Sequence, residues 1–114
     1  MTWAEAVAFA LTLPGTAMEK FYDAVVPKVR GKAFISRSHE PGSFTICCDS
    51  AEKVALLQEI DPDTFWQSPH YQGTRWILAR EGHGDDEMLR GLIESAWAAR
   101  ASKAQRAERD AASS

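Results

Sequence analysis

Four cations, Lys28, Arg30, Lys32 and Arg37, fall within ten residues that hold no acid, a local charge of +4. Lysine and arginine at this density suit contact with phosphates, which supplies affinity without reading base sequence. The same residues would also keep an exposed hairpin soluble and discourage edge-to-edge pairing, an explanation of at least equal weight. The rest of the chain is acidic. Residues 49–63 carry five acids against Lys53, and residues 81–87 carry four acids and no lysine or arginine. The formal net charge is −3, so nothing draws the whole molecule to nucleic acid or to an anionic membrane.

Other chemistry is thinly represented. His39, His70 and His83 have no i,i+4 partner and no Cys or Asp at ligand spacing, so no metal ligands are assigned. His39 and His83 sit among turn formers and read as solvated. His70, between Pro69 and Tyr71, is the histidine to watch, although a packed, hydrogen-bonded side chain explains it as well. Cys47 and Cys48 are adjacent, too close for an unstrained bridge, and read as buried strand residues of a reducing cytosol. The glycines are scattered and form no phosphate loop, and no nucleophile signature surrounds any serine or cysteine. Asp85-Asp86-Glu87 is explained by a helix start. The chain therefore reads as non-enzymatic, with no catalytic residue, metal or cofactor.

The elements that carry these residues follow from patterning. Thr2 and Glu5 form a capping box, and Trp3, Ala6, Val7, Ala10 and Leu13 follow at helical spacing. This predicts a helix over 2–13, ended by Pro14-Gly15. A short strand is expected near 18–22. The segment 25–37 has two readings. It is either one long strand with Lys28, Arg30 and Lys32 on one face, or a hairpin turning at Arg30-Gly31. The hairpin is preferred because it gives strands of ordinary length. Turn formers at 38–43 precede a strand at 44–48, then a helix opened by a box at Asp49-Ser50-Ala51-Glu52 and stopped by Asp61-Pro62-Asp63.

Residues 61–74 form an irregular connection rich in aromatic mass. A last strand at 75–80 should bury Trp76, and a final helix should bury Leu89, Leu92, Ile93, Ala96 and Trp97. From about residue 101 the chain is alanine with alternating charge, so 101–114 reads as a frayed or disordered tail behind one domain at 1–100. No apolar run reaches the roughly 20 residues needed to span a bilayer, and no secretory leader precedes the first helix, so a cytoplasmic location is expected. The fold class is α+β: an antiparallel sheet of about five strands, helices at both ends packed on it, and one crossover helix.

In order and spacing, Leu13-Pro14-Gly15, Val29-Arg30-Gly31-Lys32-Ala33-Phe34, Pro69-His70-Tyr71 with Trp76, and Leu92-Ile93-Glu94-Ser95 resemble the MmcQ/YjbR-like family over about residues 2–100. The resemblance implies a CyaY-like (frataxin-like) α+β fold and a "double wing" of two hairpins gripping duplex DNA. Carried onto this sequence, the wings fall at about 18–29 and 25–37, with Lys28, Arg30, Lys32 and Arg37 as phosphate contacts. Frataxin-like iron binding would call for acids along the first helix, which offers only Glu5. The leading expectation is a weak, salt-sensitive binder of double-stranded DNA with little sequence specificity. The alternative is a protein- or small-ligand-binding module using the 65–76 aromatic connection.

Overall fold

A computed structural model describes residues 1–113. The first helix, α1 (Trp3–Ala10), starts on the expected capping box: Glu5 N–H donates to the Thr2 hydroxyl at 3.2 Å and Thr2 N–H to the Glu5 carboxylate at 2.8 Å. It is shorter than the predicted 2–13, because residues 11–13 tighten into turns that end before Pro14. Trp3, Ala6, Ala10 and Leu13 are buried, as the stripe requires.

Seven strands follow in two antiparallel sheets. The first sheet holds β1 (Thr16–Phe21), β2 (Ala24–Val29) and β3 (Lys32–Ala33) in sequence order. The second holds β4 (Ile35–Arg37), β5 (Ser43–Cys47), β6 (Phe65–Trp66) and β7 (Trp76–Arg80), in the order β4-β5-β7-β6. The α+β class with antiparallel pairing stands, but the single sheet of about five strands divides. The segment 32–37 changes partner at the fully buried Phe34, from β2 on one side to β5 on the other. Short pairing by Phe65 and Trp66 against β7 adds a strand within the connection read as irregular.

The preferred hairpin reading holds. Arg30 and Gly31 form the two-residue turn between β2 and β3, with φ of 53° and 76°. Positive φ at both turn residues matches the right-handed twist of the flanking strands, and glycine takes it without steric cost.

Helix α2 (Ala51–Ile60) crosses between β5 and β6. Its N-cap is Ser50, whose hydroxyl accepts from Lys53 N–H at 3.1 Å, one residue later than the Asp49 box predicted. Helix α3 (Asp86–Ala98) starts on Asp85 and buries Leu89, Leu92, Ile93, Ala96 and Trp97, the predicted stripe. It packs with α1 against the sheet face carrying Phe44, Ile46, Ile77 and Ala79. Strand alternation puts Ser36, Thr45, Leu78 and Trp66 on the opposite face.

Trp76 lies on that opposite face as well, so it is half-buried where it was expected to be largely buried in the core. The alternation was read correctly from Ile77, but the core lies on the Ile77 side.

The tail is expected from the sequence to be a frayed helix or disordered. Residues Lys103–Ser113 form a fourth helix, α4. Ser102 and Gln105 make a reciprocal capping box, with bonds of 2.8 and 3.1 Å. Ala101 is buried, Arg109 pairs with Glu94 at 3.0 Å, and its guanidinium lies 6.0 Å from the centre of the Phe9 ring. A helix without large apolar residues thus docks through polar and cation–π contacts. Deleting residues 103–114 should lower the melting temperature by about 4 °C or more, which corresponds to about 1 kcal/mol in a domain of this size. An unchanged melting curve would show that these contacts carry no stability.

Candidate functional site

The two hairpins and the aromatic connection meet over the sheet face opposite α1 and α3. Together they line a groove of about 970 Å³. One wall is the β1–β2 turn with Phe21, Tyr22, Asp23 and Ala24. Another is the end of β4 and the turn beyond it, Ser36 to His39. The third is the connection, through His70, Tyr71, Thr74 and Trp76, and Thr45 also lines the space.

Each wall is held by local bonds. The Gln67 amide nitrogen lies 3.0, 3.1 and 2.8 Å from the carbonyls of Tyr71, Thr74 and Trp76, which ties the connection into one loop. The Thr74 hydroxyl donates to the Tyr71 carbonyl, and the Thr45 hydroxyl to that of Ser36 at 3.1 Å. These hydroxyls are thereby occupied within the fold. Burial raises the Tyr71 hydroxyl above its ordinary range, so it remains a neutral donor at physiological pH.

The remaining groups are aromatic or imidazole. Phe21 and Trp76 stack with ring centres 6.2 Å apart and planes 28° from parallel. Tyr22 meets Phe21 edge-on at 4.7 Å, yet remains 84 % exposed. Its φ of 57° is the left-handed region, which costs a side-chain-bearing residue about 1–2 kcal/mol. His39 and His70 come from loops far apart in sequence and meet edge to face, ring centres 5.3 Å apart, with Tyr71 4.8 Å beyond His70. Among the described residues neither imidazole has a hydrogen-bonding partner.

The four cations do not share one surface. Lys28 lies opposite Ala33 and Lys32 opposite Val29, neighbouring rungs of the β2–β3 ladder, so their side chains leave opposite faces of the ribbon. Lys28 is half-buried with its ammonium 5.6 Å from the centre of the Phe21 ring. Arg30 is exposed in the turn between them. Arg37 belongs to the second sheet, up to about 17 Å of extended chain beyond Lys32. Its guanidinium lies 5.9 Å from the centre of the Trp3 ring.

Acids gather at that same end of α1. The Glu81 carboxylate accepts from Trp3 N–H at 2.9 Å, and Asp86 pairs with the N-terminal amine at 3.0 Å. Arg37 therefore stands near the acidic segment 81–87, although among the described residues no ion pair engages any of the four cations.

In the sequence the 65–76 connection is the alternative binding element, and four of its residues, His70, Tyr71, Thr74 and Trp76, line this groove. Phe21 and Tyr22 were not read as site residues, whereas His39 is exposed, in line with its solvated reading, and also lines the groove. The one available signal was the exposed turn Tyr22-Asp23 set between two strands. The cysteines lie elsewhere: burial pushes the Cys48 thiol up to about 11, with Cys47 and Asp49 adding to the effect, so it stays protonated and a poor nucleophile. Among the described residues no three His, Cys, Asp or Glu side chains are placed to hold a metal ion.

A two-hairpin α+β domain with a groove beneath the first hairpin thus defines the class of protein. The YjbR family model matches residues 11–99, and the chain belongs to the YjbR family. No curated protein and no solved structure matches it.

Proposed function

We propose that this chain is a non-enzymatic binding protein whose ligand occupies the groove between the β1–β2 turn, the end of β4 and the 70–76 connection. The observation that carries this reading is the convergence of Phe21, Tyr22, Trp76 and two unbonded imidazoles from three segments on one space of about 970 Å³. That volume is in the range of pockets that enclose a small molecule. Free, buried thiols fit a cytoplasmic setting. Screening the full chain by amide-resolved NMR against a library of ring-bearing fragments tests the reading. Shifts should cluster at residues 21–24, 36–39 and 70–76. A library that leaves those residues unperturbed would sink it.

A second reading is duplex DNA binding through Lys28, Arg30, Lys32 and Arg37. It is favoured by the absence of ion pairs on the three cations around the β2–β3 turn, among the described residues. With three contacts rather than four, the log–log slope of affinity against salt should be about −2.7. Neutralising Arg30 and Lys32 together should remove about 1.8 of that slope while leaving the melting temperature nearly unchanged. An affinity for duplex that does not change with salt would eliminate this mode.

A further inference from the structure

We infer that the groove has a ring subsite and an anion subsite, and that its ligand is a flat heterocycle bearing a phosphate, of the nucleoside monophosphate class. The inference rests on the groove reading above and adds the chemistry of the ligand.

The ring subsite is made by Phe21, Tyr22 and Trp76. Phe21 and Trp76 present nearly parallel rings, and Tyr22 stands at their edge with most of its surface in water. Two features of Tyr22 are unfavourable to folding at once. A bulky residue holds positive φ where glycine or asparagine would relieve the turn, and a large ring is left exposed. Both are accounted for when the ring's partner is a ligand. A planar heterocycle stacking on these faces removes that surface from water and is accepted without a fixed hydrogen-bond pattern.

The anion subsite is made by His39 and His70. Their ring centres lie 5.3 Å apart, both residues are exposed, and neither imidazole is hydrogen-bonded within the protein among the described residues. Arg37 lines the groove only at the end of β4, its guanidinium lying against the Trp3 ring, and the lining acid, Asp23, belongs to the turn that carries Tyr22. A transition metal is the other partner two histidines could share. It would want a third ligand, and no such trio is placed among the described residues. A phosphate needs only donors.

The test compares adenosine 5′-monophosphate with its two halves, adenosine and ribose 5-phosphate, each titrated into the full chain by calorimetry with the amide shifts followed in parallel. The nucleotide should bind at least tenfold more tightly than either half. Tyr22→Gly should weaken the nucleotide and adenosine about tenfold and leave ribose 5-phosphate unaffected, while melting at or above the wild-type temperature. The pair His39→Gln with His70→Gln should weaken the nucleotide and ribose 5-phosphate and spare adenosine. Equal affinity for nucleotide and adenosine, or a nucleotide affinity indifferent to Tyr22→Gly, overturns the inference. So does failure of all three probes to bind while other ring-bearing fragments shift the groove residues, and in that case the groove reading stands. A groove that no fragment reaches removes both.

Discussion

Replacing Trp97 by alanine should cost about 3–5 kcal/mol, the range for truncating a large aromatic in a packed core. Trp97 is 1 % exposed and lies in the last turns of α3, where its ring is part of the cluster shared with α1 and the sheet. It also holds a polar link. Its indole N–H donates at 2.9 Å to the carbonyl of Pro14, fixing the turn after α1 against α3. Trp97→Ala therefore opens a cavity and strips a carbonyl of its partner in one change. Trp97→Phe separates the two effects, since most of the apolar contact survives and the Pro14 carbonyl alone is left to find water, at about 1–3 kcal/mol. Against a total stability of about 5–15 kcal/mol, the alanine variant should be visibly destabilised in chemical denaturation. A loss under 1 kcal/mol would mean that α3 is not the element closing the core.

Much of this fold was legible because its signals are local. The capping box at Thr2 and Glu5, the stripe of α3 and the turn at Arg30-Gly31 each depend on residues within a few positions of one another. Ser102 and Gln105 carry the same kind of signal, and it was passed over because the segment has no large apolar side chain to announce a docked helix.

The division of the sheet at Phe34 was not legible. Residues 32–37 read as one strand, and which neighbour each half pairs with is decided by long-range packing rather than by the segment itself. Trp76 illustrates the limit. Its alternation with Ile77 was plain, but alternation does not say which face meets the helices. The groove depends on the same long-range packing. Of its walls only the 65–76 connection is offered as a binding element by the sequence, because Phe21 and Tyr22 join it through the way the first hairpin lies over the second sheet and His39 through the turn between β4 and β5.

The turn between β7 and α3 offers a paired test, because it holds two glycines of nearly equal backbone conformation and unequal surroundings. Gly82 has φ of 76° and Gly84 of 81°, so alanine at either position suffers the left-handed penalty of about 1–2 kcal/mol. At Gly82 a Cβ would meet nothing within 4 Å. At Gly84 it would stand 2.9 Å from Thr64 Cγ2 and 3.2 Å from Thr64 Oγ1. Thr64 is buried, β-branched and stiff at χ1, and its carbonyl is bonded to Arg80 N–H at 2.8 Å, so neither its side chain nor its backbone can readily yield. Overpacking of this kind adds about 1–3 kcal/mol, for a total of about 2–5 kcal/mol at Gly84. The displacement would fall on Asp85, the cap whose carboxylate accepts from Glu87 N–H at 3.1 Å, and next to Asp86, which holds the N-terminal amine. Gly84→Ala should accordingly loosen the start of both α3 and α1, with faster amide exchange at both helix starts, whereas Gly82→Ala should show only a small global loss. Equal losses in the two variants would mean that Thr64 does yield, and that backbone conformation alone sets the cost at this turn.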